Sequence, residues 1–188
     1  MNLEEVDASA WSSLEAATND PQSGFRFVNL CSVDEAGRPQ ASMVVLRRVD
    51  TAARLLDIHT DTRSPKWLEL FRNPTVTILG FSVSTRVQLR LAGAVRLHSH
   101  GSDLAEKAWS GLSAWARSTY TGGPPGDEPD NHELVPARGE ADGKSFFGVV
   151  SFRAESLDWF ELRRAENRRA PFEYSNLGAL MASRWINP

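Results

Sequence analysis

The residues best suited to chemistry lie in one short run, Thr60-Asp61-Thr62-Arg63-Ser64-Pro65-Lys66. Ser64 is a good helix N-cap, and Pro65 suits the first helical position, where its missing N–H would be unpaired anyway. A helix starting here presents free backbone N–H groups and a partial positive charge. Thr60 and Ser64 add hydroxyl donors, while Arg63 and Lys66 add full positive charges. Together they suit a dianionic phosphate. A well-capped surface helix with two solvated cations fits the same residues and is the commoner arrangement.

Two further segments matter. Met43-Val44-Val45-Leu46-Arg47-Arg48 reads as an apolar strand ending in two arginines. An apolar β edge can stack against a flat ring while its backbone hydrogen-bonds the ring's heteroatoms. An ordinary buried strand with exposed terminal charges explains it equally. In Val87-Gln88-Leu89-Arg90-Leu91, the strand period places Gln88 and Arg90 on one face, opposite the three apolar residues. His98 and His100 share a face at a strand end, but only Asp103 stands near at ligand spacing, so no metal site is expected. The chain has no G-x-S-x-G elbow, no P-loop and no G-x-G-x-x-G after a strand. Arg163, Arg164, Arg168 and Arg169 form a basic cluster that suits an anion, or a solvated hairpin with Glu161 and Glu166 as counter-charges.

The elements that must carry these residues are mostly short strands. Asn2 to Thr18 has helical apolar spacing and precedes Asn19-Asp20-Pro21, which ends it. Strands are predicted over Phe25–Val33, Gln40–Val49, Arg54–His59, Thr75–Phe81 and Arg86–His98, with a short helix ending near Asn73-Pro74. A helix over Ser102–Thr119 follows, and Gly122 to Gly143 reads as a mobile loop. Phe146–Phe152 and Leu157–Leu162 read as returning strands. Hairpin-like connections and few long helices favour an antiparallel barrel over a βαβ fold.

At 188 residues the chain suits one domain, 1–188. The single Cys31 excludes an internal disulfide and a multi-thiolate zinc site. A net charge of −3 argues against a general nucleic-acid binder. No apolar run approaches the ~20 residues of a spanning helix, and the N-terminus lacks the marks of a signal peptide, so a soluble, cytoplasmic protein is expected. Six tryptophans exceed what the core requires; packing and a subunit interface are their expected use.

The order of the pieces resembles a known family. Arg38-Pro39, Val44-Val45-Leu46-Arg47, Thr60-Asp61, Ser64-Pro65-Lys66, Asn73-Pro74, Gln88 and Gly93, then Phe146-Phe147-Gly148, Trp159-Phe160, Arg168-Arg169 and Trp185-Ile186-Asn187-Pro188, are similar to the pyridoxamine-phosphate-oxidase-like flavoproteins. The resemblance implies a mainly β fold, a six-stranded antiparallel Greek-key split β-barrel with flanking helices. It also implies FMN bound across a homodimer interface. Val44, Val45, Leu46 and Arg47 would line the isoalloxazine; Thr60, Ser64 and Lys66 would hold the phosphate and ribityl chain, beside Asp61. Gln88 would reach the flavin's polar edge, and Phe160 and Arg168 would come from the second subunit.

Departures from the family pattern bear on substrate more than on cofactor. Ser42 replaces a phosphate-holding arginine, and Pro65 another basic residue, for which Arg63 offers a nearby charge. Arg47 replaces the substrate lysine. Ala170 replaces a histidine, and a later flavin arginine is missing. The resemblance thus implies an FMN-dependent oxidoreductase acting on a small molecule other than vitamin B6; the alternative is a flavin carrier or sensor without turnover. No residue is assigned a catalytic acid or base role.

Overall fold

In the computed structural model, which describes residues 1–128 and 140–188, the short β runs pair into one antiparallel system. Helix α1 (Leu3–Ala17) starts at an Asn2/Glu5 capping box and buries Val6, Ala10, Trp11, Leu14 and Ala17 on its apolar stripe. Strands β1 (Phe27–Val33), β2 (Pro39–Asp50) and β3 (Leu55–Asp61) form a meander. Helix α2 (Pro65–Arg72) then leads to β4 (Thr75–Ser82) and β5 (Val87–His98).

Helices α3 (Asp103–Ser110) and α4 (Ala114–Ser118) follow, then α5 (Glu140–Ser145) and the long β6 (Phe147–Glu161). β6 pairs with β5 on one side and β3 on the other, which closes six strands in the order β3-β2-β1-β4-β5-β6. Strands β7 (Arg168–Tyr174) and β8 (Leu180–Ser183) extend the sheet beyond the barrel. The fold is the mainly β, six-stranded antiparallel barrel with flanking helices that the sequence led us to expect. Its core is the inward residues of every strand, among them Leu30, Leu46, Ile58, Ile78, Leu89 and Phe152.

Besides β7 and β8, which the sequence did not lead us to expect, three elements differ from expectation. The two returning strands are one, because a bulge opposite Ala92/Gly93 carries β6 through the polar Arg153–Ser156 stretch. Gly93 is required there, since a Cβ would lie 2.0 Å from the Arg153 carbonyl oxygen. The single helix over Ser102–Thr119 is two, broken where Gly111 caps α3 and Ser113 caps α4. Of the expected loop 122–143, residues 129–139 lie outside the described residues, and its end is the helical start of α5. Among the described residues no helix is long and apolar enough to cross a membrane.

Candidate functional site

β3 delivers Thr60 and Asp61 directly into the turn that starts α2. Thr60 and Asp61 pair with Gly148 and Phe147 of β6, and the Trp67 ring lies against Gly148, where a Cβ would approach it to 2.5 Å. That glycine lets α2 dock against the barrel wall. Ser64 is the N-cap and Pro65 the first helical residue, but the Ser64 side chain makes no cap hydrogen bond. Its hydroxyl donates instead to the Asp61 carbonyl at 2.7 Å. Lys66 reaches back so that Nζ donates to Thr60 Oγ1 at 3.2 Å. Burial pushes the Lys66 pKa below its ordinary value, against the opposing pull of Glu69 and Asp61.

Arg63 turns away from this group. It forms a two-pronged pair with Asp61 (Nε–Oδ1 3.0 Å, Nη2–Oδ2 2.6 Å), donates to the Gly122 carbonyl at 3.0 Å, and stacks on Phe146 at 3.7 Å. Its charge is therefore neutralised locally. The cation facing Thr60 is Lys66.

The β2 residues sit beside this corner. Leu46 pairs with Ile58, the pair of the β2–β3 ladder nearest Thr60. Val44 and Leu46 face the interior; Val45 faces outward and is half-buried. Ser42 lies on the interior-facing side of β2, paired with Leu30. After Leu46 a bulge leaves Arg47 and Arg48 both exposed. Outward-facing His59 contacts the Phe147 ring edge-on at 5.0 Å. Burial, reinforced by the Arg47 charge, holds its pKa down at about 4, and its buried Nδ1 has no partner among the described residues.

Gln88 pairs with Phe81 on β4 and Phe160 on β6. Val45 pairs with Phe27, and continuing the β1–β4 register by two residues sets Phe27 beside Phe81. Gln88 and Val45 thus lie in one outward row, three strand spacings or about 15 Å apart. Phe160 is farther from Thr60. Twelve residues of β6, on the order of 40 Å along the strand, separate it from Gly148. Arg168 lies at the same far end, over the Trp185 ring at 4.2 Å and 4.0 Å from Glu161. Within one copy, the structure brings together Thr60, Asp61, Ser64 and Lys66 beside the strand that carries Val44, Val45, Leu46 and Arg47, and sets Gln88, Phe160 and Arg168 apart from them.

The model of the family described as pyridoxamine 5'-phosphate oxidase, FMN-binding domain, matches residues 8–99, which hold Val44 to Arg47 and Thr60 to Lys66. Over these residues the chain is similar to this family. Solved relatives share the fold along nearly the whole chain. A pyridoxamine 5'-phosphate oxidase-related, FMN-binding protein from Nostoc punctiforme is 23% identical with a TM-score of 0.78, covering 96% of each chain. PhzG from Burkholderia lata, in complex with tetrahydrophenazine-1-carboxylic acid, is 15% identical with a TM-score of 0.75, covering 96% of this chain and 90% of its own. No curated protein matches the chain by sequence.

The site holds residues the sequence reading missed. His59 is one. Asp57, buried on the outer wall, takes Arg48 Nε at 2.6 Å and the Ser151 hydroxyl. Tyr120, pushed up to about 12 by burial, packs on Phe147 at 5.2 Å. Outward strand position gave His59 and Asp57 no signal, because their burial comes from neighbours distant in sequence. Trp109 on α3 is buried, whereas Trp115 on α4 is exposed.

Proposed function

We propose that this chain is an FMN-binding oxidoreductase acting on a small molecule as a soluble cytoplasmic homodimer. The observation that carries the reading is the convergence of Lys66, Thr60 and the uncapped first turn of α2 at one end of the barrel. A half-buried ammonium whose one hydrogen bond among the described residues goes to a neutral hydroxyl has donors left for an anion. The helix N-terminus beside it adds N–H groups and dipole. The donor set fits the phosphate of FMN.

Lys66 and Thr60 hold that phosphate, with Ser64 and Asp61 shaping the turn. Val44, Val45 and Leu46 lie along the flavin, Arg47 stands at its substrate side, and Gln88 reaches its polar edge. When bound, FMN supplies the redox chemistry, and the protein supplies position and electrostatics. Phe160 and Arg168 complete the site from a second copy, as the resemblance to the family implies. Exposed Phe27, Met43 and Phe81 on the outward sheet face support such a pairing.

The test is the visible spectrum of the purified protein before and after adding FMN. Bands near ~450 nm that survive desalting, and weaken by at least about tenfold in affinity in Lys66→Ala, are expected. A colourless protein that ignores added FMN overturns the reading. Flavin that binds but is never reduced by any donor leaves the cofactor assignment standing and removes the oxidoreductase.

A further inference from the structure

A groove starts at the Arg47/His59 corner and runs away from the candidate flavin site along the outer barrel wall. It comprises two adjoining cavities, of about 550 and 410 Å³, which share Arg48 and Leu104 as a common border. Two irregularities of the sheet build it. The β2 bulge leaves Arg47 and Arg48 both exposed. The extra residue of β6 opposite Ala92/Gly93 reverses the facing of β6, so that Arg153 points outward in the row containing Leu55, beside the outward Arg96 in the row containing Asp57.

The groove is lined by Arg26, Arg47, Arg48, Arg96, Lys107 and Arg153, in a chain whose formal net charge is −3. Among the described residues two carboxylates line it, those of Asp57 and Glu155. Asp57 is already taken by Arg48 and Ser151, and Arg26 is spent on the carbonyls of Thr18, Ala17 and Leu46. Arg47, Arg96 and Lys107 have no carboxylate partner among the described residues. A concave wall of one sign focuses the field on an incoming anion. Both volumes fall within the range of small-molecule sites, which favours a compact ligand over a polymer.

We propose that the groove binds an elongated polyanion of nucleotide size, with its phosphate groups over Arg96 and Arg153. Its organic end lies in the larger cavity against Arg47 and the apolar Leu104 and Leu112. From Leu55 to His59 the strand rises on the order of 13 Å, enough to separate the two ends. The larger cavity shares Arg47 with the substrate side of the proposed flavin site, whereas the phosphate contacts rest on the groove's own charges.

The probe is NADP+, titrated by calorimetry into the full chain both as the apoprotein and with FMN added, with inorganic tripolyphosphate as a competitor lacking an organic end. Saturable binding to both forms is expected, weakened by added salt and by at least about tenfold in Arg96→Ala/Arg153→Ala. Tripolyphosphate competes but binds more weakly. Arg38→Ala, which removes an exposed arginine paired with Asp34 outside the groove, leaves the affinity unchanged. Absence of NADP+ binding, or binding indifferent to the double substitution, overturns the proposal. Tripolyphosphate binding as tightly as NADP+ overturns the placement of the organic end. A protein that binds NADP+ through these arginines yet ignores FMN fails the flavin reading alone.

Discussion

Two buried polar clusters anchor helices to this barrel, and they differ in how completely their hydrogen-bonding capacity is used. Beneath α1, Asp7 accepts from Arg54 Nη2 at 2.6 Å and from the Tyr174 hydroxyl, while Trp11 Nε1 donates to Tyr174 at 2.9 Å. Arg54 lies over both rings, at 5.0 and 4.7 Å, and its Nε donates to the Gly178 carbonyl. This closed network holds Arg54 at a positive φ of 55°, a conformation that a non-glycine residue rarely adopts unaided. Beside α2 the pattern reverses. Lys66 spends one donor on Thr60, the helix start has no side-chain cap, and the His59 Nδ1 has no partner among the described residues. Buried polar atoms are normally satisfied, so a saturated cluster marks scaffold and an unsaturated one marks a place kept for something else.

The strongest way to break this contrast is Asp7→Ala. It leaves Arg54 buried without its counter-charge, and stability should fall by about 3–5 kcal/mol, read from the denaturant midpoint. Flavin affinity under native conditions should hold. A loss in affinity without a loss in stability would invert the roles assigned to the two clusters.

Lys66→Met tests the other side with the next largest effect. Burial lowers the Lys66 pKa, so near neutral pH its charge costs the folded state. The variant apoprotein should melt higher than wild type while FMN affinity drops by at least about tenfold. As pH rises toward the ordinary lysine pKa, wild type sheds the half-buried charge and the two melting temperatures should converge. A variant that melts lower would make Lys66 part of the scaffold.

The saturated and unsaturated clusters also differed in how legible they were. The Thr60–Lys66 corner announces itself locally, through a Ser-Pro helix start and clustered cations at the end of a β run. The barrel strands showed too, because alternation such as Val87 to Leu91 is local. The Asp7–Arg54–Tyr174 network spans nearly the whole chain, and none of its members stands out alone. β7 went unseen because Pro171 argues against a strand that is nonetheless paired on both sides. The break in the Ser102–Thr119 helix did carry a signal, in Gly111 followed closely by Ser113. His59 carried none, since its depressed pKa arises from burial that only the closed barrel and its covering helix produce.

His59 offers a subtler test, in pH. Its pKa falls from the ordinary 6.5 to about 4 on folding, so the unfolded chain takes up a proton that the folded chain refuses. That contribution to stability is intact above about pH 6.5 and is lost progressively as pH falls toward 4. Urea midpoints compared between about pH 7 and pH 5 should therefore fall less steeply in His59→Gln than in wild type. Equal slopes would mean that His59 is solvated, and the corner beside Arg47 would lose its standing as an unsatisfied site.

The smallest effect sharpens the division within the corner itself. Ser64 and Lys66 both stand at the start of α2, and both resemble phosphate ligands, yet their donors are spent differently. The Ser64 hydroxyl already gives its single proton to the Asp61 carbonyl at 2.7 Å, an internal bond that tightens the turn. To donate to a phosphate it must abandon that carbonyl in a buried place, so what it gains from the anion it gives up in the turn. Lys66 has two protons left after Thr60 and gives up nothing. Ser64→Ala should therefore lower stability by about 0.5–1.5 kcal/mol and weaken FMN by less than about threefold. A loss of affinity matching that of Lys66→Met would show the hydroxyl turning outward when the anion arrives, placing Ser64 with the ligand rather than with the scaffold.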